Sequence, residues 1–127
     1  MEPEDFPSRI QRYLPLAIER AEFSNENLSL GDPTWSFTST SPWRLVSADR
    51  LVAGAYSDNS YVEIARLPGR RIVRVAFQRR SSSLDPSFEV DNGMILEVFS
   101  CHPLEPWVLR LPEGPVLVAS PSGGRAA

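Results

Sequence analysis

The tightest constraint in this sequence is an Asn-Gly pair that lies between two short segments rich in apolar residues. Asn92 and Gly93 separate the segment Ser87–Val90 from the segment Met94–Phe99. Asn and Gly tolerate the positive φ angles that two-residue hairpin turns require. The sequence therefore predicts an antiparallel β-hairpin at this point, and the overall fold has to accommodate it.

Apolar and polar residues also alternate in other segments from Leu28 onward, as they do in half-buried strands. Turn-forming Gly, Pro, Asp and Asn residues separate these segments. In the longest one we expect Val73, Val75 and Phe77 to share one face. Residues 57–66 are compatible with a loop, a short strand or a turn of helix. The further strands predicted in this way are Trp35–Thr38, Trp43–Val46, Leu51–Ala55, Arg71–Gln78, Trp107–Leu111 and Pro115–Ala119.

The N-terminal segment has a different period. Phe6, Ile10, Tyr13 and Ala17 recur at helical spacing, which predicts a helix over residues 6–23. Pro15 removes a backbone donor, so the helix should end, kink or begin again near it.

Together these patterns predict a mainly β (α+β) fold for a single domain over residues 1–127. We expect an antiparallel meander over about residues 28–119 that curls into a roll, an open barrel or a sandwich. One N-terminal helix would cover a face or an edge of it. Residues 120–127 are small and polar, and they predict a flexible tail.

Charge and cysteine content restrict the functional classes. The net charge is −3, and all 13 basic residues are arginine. A general nucleic-acid binder needs a basic face, so we expect no nucleic-acid partner. No apolar segment has the roughly 20 residues of a membrane span, and the acidic start of the chain is unlike a signal peptide. With a single cysteine, Cys101, the sequence predicts a cytoplasmic protein.

Residues suited to catalysis or metal binding are few. His102 directly follows Cys101, and neighbouring residues in extended chain point to opposite faces, which disfavours a Cys-His couple. One His and one Cys cannot complete a zinc site. The isolated glycines form no phosphate-binding loop. We therefore predict no catalytic residues, no metal and no cofactor.

Arginine and tryptophan are the residues that most often anchor protein interfaces. We expect Trp35, Trp43 and Trp107 to lie in the core, because each fits an inward strand position. Acidic residues near loops could steer a basic protein partner, which predicts salt-sensitive association. The predicted partner-binding residues are Arg74, Arg79, Arg80, Asp58, Asp85, Asp91 and Glu105.

The segment Trp43–Ser120 resembles a broad group of small bacterial β-rich proteins, some of which are immunity-type proteins that neutralise a partner toxin. The residues that carry the resemblance are Trp43-Arg44, Leu67-Pro68-Gly69, Asp85, Phe88, Asn92-Gly93, Leu96-Glu97-Val98-Phe99 and Trp107. The resemblance implies a protein partner in a toxin or defence context, and it transfers no catalytic residue.

Three functional hypotheses follow. The first is a non-catalytic protein-binding domain, of immunity type or an accessory subunit, for which a homo-oligomer is also open. The second is a small-ligand-binding or enzymatic β barrel with a pocket lined by tryptophans and carboxylates. The third is a ubiquitin-like modifier, because Gly123-Gly124 near the C-terminus is similar to the diglycine of that class.

Overall fold

The computed structural model describes residues 6–80, 83–99, 107–120 and 123–126. In this part of the chain there are two short helices and twelve strands. The helices are α1 (Phe6–Gln11) and α2 (Ser60–Ile64). The strands are β1 (Leu16–Ala17), β2 (Arg20–Ser24), β3 (Asn27–Asp32), β4 (Trp35–Ser39), β5 (Trp43–Ser47), β6 (Arg50–Gly54), β7 (Arg71–Arg80), β8 (Ser83–Val90), β9 (Met94–Val98), β10 (Trp107–Arg110), β11 (Val116–Ser120) and β12 (Gly123–Ala126).

The strands form two antiparallel sheets, which confirms the predicted mainly β fold of sandwich or roll type. The first sheet has the order β2-β3-β4-β10-β11-β12. The second has the order β7-β8-β9-β5-β6, and the short β1 pairs with the start of β7. A single parallel pair, Gly123 with Ser83, connects β12 to β8 and so joins the sheets along one side.

Aromatic side chains fill the space between the two sheets. Phe37 of β4 and Phe88 of β8 are fully buried, and their ring centroids lie 4.7 Å apart in an edge-to-face contact. Trp107 of β10 packs against Phe37 and also against Phe77 of β7, at 6.3 and 5.9 Å. Phe6 closes one end of this cluster, since α1 packs on β7. Such aromatic pairs add to the stability gained from burial alone.

The predicted N-terminal helix is wrong beyond residue 11. α1 ends at Gln11, and the chain then forms β1 and β2 instead of more helix. Pro15 lacks the N–H that a continuing helix would need. Burial alternates over residues 16–19 and again over residues 20–24, and β2 pairs with β3 from Arg20 to Ser24. Pairing with β3 therefore outweighs the helical spacing seen in the sequence.

The predicted hairpins are confirmed. β8 and β9 pair around Asn92-Gly93, with Phe88 opposite Leu96. Gly93 has a φ of 89°, and the Asn92 side chain accepts a hydrogen bond of 3.0 Å from the Met94 N–H. β5 pairs with β6, and β10 pairs with β11. The undecided segment 57–66 contains helix α2.

The predicted facing of β7 is only partly correct. Val75 is buried, but Val73 is 39% exposed. Ile72 of β7 pairs with Val90 of β8, and the next pair is Arg74 with Glu89. Val73 has no partner residue between these pairs, so it is the extra residue of a β-bulge. Ile72 takes the inward place that the alternation assigned to Val73.

The prediction of a flexible tail is also wrong for residues 123–126. Their backbone forms β12, which pairs antiparallel with β11 from Ser120–Gly123 to Leu117–Ala126. Without β12, the edge of β11 that faces away from β10 would have unpaired backbone groups, and pairing with β12 satisfies them.

Candidate functional site

A concavity lies on the outer face of the β9-β5-β6 part of the second sheet. We call it the outer concavity, and its volume is about 640 Å³. Cross-strand register places Val46 opposite both Ile95 and Leu51, and these three apolar residues form its floor. Leu45 of β5 and Leu96 of β9 point to the core. Because side chains alternate along a strand, the residues next to each of them point outward.

A charged pair borders this apolar floor. The Arg44 Nε donates a hydrogen bond of 2.6 Å to the Glu97 carboxylate on the neighbouring strand. The Arg44 guanidinium also lies 5.0 Å from the centroid of the Phe99 ring. Two contacts therefore hold this guanidinium in place, although about half of the Arg44 side chain remains exposed.

The loop after β6 forms the other wall. The Gly54 N–H donates to Ser57 Oγ at 2.9 Å, the Ser57 N–H donates to the Gly54 carbonyl at 3.0 Å, and the Ala55 N–H donates to the Trp43 carbonyl. This tight loop projects Tyr56 outward, where it is 83% exposed. Leu51 on the floor is 65% exposed. Two large apolar side chains thus meet solvent beside a concave surface.

A second, smaller concavity of about 190 Å³ adjoins the first, because Ala55 and Tyr56 line both. We call it the small concavity. Phe23, Glu26, Thr40, Ser41 and Pro42 complete its lining.

Two buried polar atoms in residues that line the concavities lack a hydrogen-bond partner among the described residues. They are the Ser41 hydroxyl oxygen and the Trp43 indole nitrogen. Ser41 is 3% exposed and Trp43 is 2% exposed. Ser41 belongs to the lining of the small concavity, and Trp43 belongs to that of the outer concavity. The Trp43 ring centroid lies 5.2 Å from that of Phe23.

The predicted acidic residues do not form one surface. Asp85 lies in β8 and is only 2% exposed, so a partner cannot reach it. Asp91 is in the β8–β9 turn, where its carboxylate lies 3.7 Å from the Arg71 guanidinium. Asp58 follows β6, whose last residue pairs with the start of β5, whereas Asp91 precedes β9, whose first residue pairs with the end of β5, so the two carboxylates lie at opposite ends of these strands. Glu105 lies outside the described residues.

The predicted arginines share strand β7. Arg74 is exposed and pairs in register with Glu89 of β8. The backbones of Arg79 and Arg80 pair with Leu84 and Ser83. Arg74 lines neither the outer concavity nor the small concavity.

All three tryptophans are buried in the core, as predicted. The Trp35 indole N–H donates to the Ala17 carbonyl at 2.7 Å, and that of Trp107 donates to the Leu84 carbonyl at 2.9 Å. Both rings therefore stabilise the interior through a hydrogen bond as well as through their burial. Trp43 differs because its N–H has no such acceptor in the part of the chain that the structure describes.

The remaining sequence features are the Cys-His pair, the possible metal ligands, the membrane span and the diglycine. Cys101 and His102 lie outside the described residues. In the described ranges, no three His, Cys, Asp or Glu side chains are grouped as a metal site requires. Neither of the two helices of the described chain is long and apolar enough to cross a membrane. Gly123 and Gly124 belong to β12 and pair with Ser120 and Ala119.

Sequence patterns missed the residues that shape both concavities. The outward exposure of Leu51 depends on a register shift between Leu45 and Val46, which makes Val52 an extra residue in β6. The position of Tyr56 depends on the loop that follows. The local signal for that loop is limited to Gly54 and Ser57. A serine hydroxyl can accept a hydrogen bond from a nearby backbone N–H, as Ser57 does from Gly54.

Comparison with known protein families, with curated proteins and with solved structures finds no match to this chain. The resemblance to immunity-type proteins therefore stays a prediction.

Proposed function

We propose that this chain is a non-catalytic protein-binding domain that receives its partner in the outer concavity. The observation that carries the proposal is the exposure of Leu51 and Tyr56 beside a concave apolar floor. Exposed apolar groups grouped around a concave surface mark interaction sites more often than isolated ones do.

The chemistry of the rim fits an interface anchor. Tyrosine and arginine are enriched among the residues that contribute most to binding. Arg44 is already held by Glu97 and by the Phe99 ring, so little side-chain entropy would be lost when a partner covers it. Burying a side chain such as Leu51 in the interface is worth about 1.5–3 kcal/mol.

The geometry favours docking on the sheet face over addition of a strand to the edge. β6 is the terminal strand of the second sheet. However, the Asn59 side chain donates to the Val52 carbonyl at 3.1 Å, so this edge acceptor is occupied. Strand addition needs a continuous row of free backbone groups. The partner in this proposal therefore engages side chains on the face.

This proposal replaces the electrostatic steering expected from the sequence. The acidic residues of that expectation that the structure describes, Asp58, Asp85 and Asp91, do not form one surface. The outer concavity carries both signs of charge in Arg44, Asp49 and Glu97. We therefore expect association to depend only weakly on salt. An immunity-type role, in which the partner is a toxin, is the narrower form of the proposal.

Affinity capture with matched variants tests the proposal. Leu51→Asp places a charge on the floor of the outer concavity, whereas Val62→Asp places one on α2, where Val62 is also exposed but lines neither concavity. Each tagged variant is expressed in the organism that encodes the protein, and bound proteins are identified by mass spectrometry.

We expect the wild type and Val62→Asp to retain one stoichiometric protein partner, and Leu51→Asp to lose it. Circular dichroism spectra of the variants should match that of the wild type. Capture of the same partner by all three proteins, or of no partner by the wild type, contradicts the proposal.

A further inference from the structure

We propose that a concavity on the outer face of the first sheet binds a small organic monocarboxylate through two arginines, Arg20 and Arg110. We call this space the arginine concavity, and its volume is about 190 Å³. It shares no lining residue with the outer concavity or the small concavity. The proposal is therefore independent of the protein partner proposed above.

Strand register places the two arginines on one row of the sheet. Arg20 of β2 pairs with Gly31 of β3, and Gly31 pairs with Ser36 of β4. Ser36 pairs in turn with Arg110 of β10. Residues paired across neighbouring strands lie on the same face, so only a glycine and a serine separate two long cationic side chains. At about 4.8 Å per strand spacing, the Cα atoms of the two arginines lie about 14 Å apart.

The Arg20 guanidinium extends along this row toward Arg110. Its Nη1 donates a hydrogen bond of 3.2 Å to the Asp32 backbone carbonyl. Its Nη2 lies 3.1 Å from the position that a Cβ at residue 31 would occupy. The guanidinium therefore lies against the backbone of β3, in space that Gly31 leaves open. Arginine carries five N–H donors and this hydrogen bond uses one of them, so donors remain for a ligand.

Arg110 lines the same space from the opposite side. Its side chain is exposed, and it forms no ion pair or hydrogen bond with the other described residues. The hydroxyl of Ser36, which lies between the two arginines on the row, can donate as well. Guanidinium groups match the two oxygens of a carboxylate, with which they form paired hydrogen bonds. The arginine concavity therefore offers several donors to one carboxylate.

Charge and size select among anions. Among the described lining residues Asp32 is the only acid, and its Oδ1 accepts hydrogen bonds from the Thr34 N–H, the Thr34 hydroxyl and the Trp35 N–H. Two arginines and one carboxylate give the lining one net positive charge, which favours a monoanion over a dianion. A volume of about 190 Å³ equals roughly six waters at liquid density. This leaves room for an organic substituent beside the carboxylate, in contact with Pro33.

Sodium benzoate and benzamide form a matched pair of probes, because they have nearly the same shape and only benzoate is charged. The protein is labelled with ¹⁵N, and the backbone amide resonances are followed during titration with each probe. We expect benzoate to shift the Ser36 and Arg110 amides saturably, with a dissociation constant of about 1 mM for so small a ligand. Benzamide should bind about tenfold more weakly, because it cannot form charge-assisted hydrogen bonds.

Charge-matched variants complete the test. Arg20→Gln and Arg110→Gln should each raise the dissociation constant of benzoate about tenfold. Arg50→Gln removes the same charge from an exposed arginine outside the arginine concavity, so it should change this constant less than about twofold. Circular dichroism spectra of the variants should match that of the wild type. Shifts that do not saturate, equal affinity for benzoate and benzamide, or equal benzoate affinity in Arg110→Gln and Arg50→Gln would overturn the proposal.

Discussion

The three buried tryptophans allow one substitution to be made in three hydrogen-bonding environments. Replacing Trp35, Trp43 or Trp107 by Phe removes the same atoms from side chains that are buried to nearly the same degree. Loss of ring contacts is therefore similar at each site. What differs is the indole N–H, which has a carbonyl acceptor at Trp35 and Trp107 but no partner among the described residues at Trp43.

This difference sets the expected order of stability. At Trp107 the substitution removes a buried hydrogen bond and leaves the Leu84 carbonyl without that donor, which costs about 1–3 kcal/mol beyond the loss of ring contacts. At Trp35 the Ala17 carbonyl lies near the surface, where water can replace the donor, so the extra cost is about 1 kcal/mol. At Trp43 the substitution removes an unsatisfied donor and carries no such extra cost.

Urea denaturation followed by far-ultraviolet circular dichroism measures these differences without relying on tryptophan emission. Trp107→Phe should be the least stable variant and Trp43→Phe the most stable. The midpoint temperatures should follow the same order, with shifts of about 4 °C per kcal/mol for a domain of this size. A Trp43→Phe variant that loses as much stability as Trp107→Phe would refute the assignment of an unpartnered indole at Trp43.

Three further predictions concern single sites in the sheets. Burial raises the pKa of Asp32, but hydrogen bonds from the Thr34 hydroxyl and N–H and from the Trp35 N–H, with the Arg20 charge, together lower it below its ordinary value of 3.8. The Asp32 carboxylate therefore stabilises the fold above pH 3.8, and this stabilisation is lost as the pH falls through the lowered pKa of the folded state. In Asp32→Asn, the free energy of unfolding measured by urea denaturation should fall less steeply with decreasing pH in this range than it does in the wild type. Val73→Thr should change the free energy of unfolding by less than about 0.5 kcal/mol, whereas Val75→Thr, which buries a hydroxyl, should cost about 1–3 kcal/mol in the same assay. Gly31→Ala should cost about 1–3 kcal/mol by thermal unfolding, since its Cβ would lie 2.5 Å from the Trp35 carbonyl oxygen; unchanged stability would mean that β3 and β4 are less closely paired than described.

Local sequence signals predicted the hairpins because the turn chemistry and the alternation agree there. Asn92-Gly93 supplies the conformation that the β8–β9 turn needs, and the flanking residues place Phe88 and Leu96 inward. Local and long-range forces therefore favour the same structure in this region.

Turns without glycine were harder to predict. Asn25 and Glu26 join β2 to β3 with φ angles of 50° and 63°, and Ala48 and Asp49 join β5 to β6 with 50° and 65°. Alanine and glutamate disfavour this left-handed region, so composition gave no signal for it. Pairing between the flanking strands imposes these conformations, which is also why residues 20–24 form β2 and not helix.

The candidate site was beyond prediction for a related reason. The outer concavity depends on the register shift in the β5–β6 pair and on the loop that presents Tyr56. The small concavity brings together residues from β2, from the turn after it and from the links flanking β5 and β6. Neither arrangement follows from periodicity within one segment. Among the described acidic residues that composition singled out, Asp85 is buried, and Asp58 and Asp91 lie at opposite ends of the paired strands β5, β6 and β9.

Calorimetric titration of a purified partner with two tyrosine variants tests the central claim most directly. Tyr56 and Tyr61 are both exposed, but only Tyr56 lines the outer concavity. If the partner docks there, Tyr56→Ala should raise the dissociation constant about 30-fold, which corresponds to about 2 kcal/mol for an interface anchor, while Tyr61→Ala should leave it within about twofold. Equal affinity of the two variants, or a larger loss in Tyr61→Ala, would contradict binding at the outer concavity.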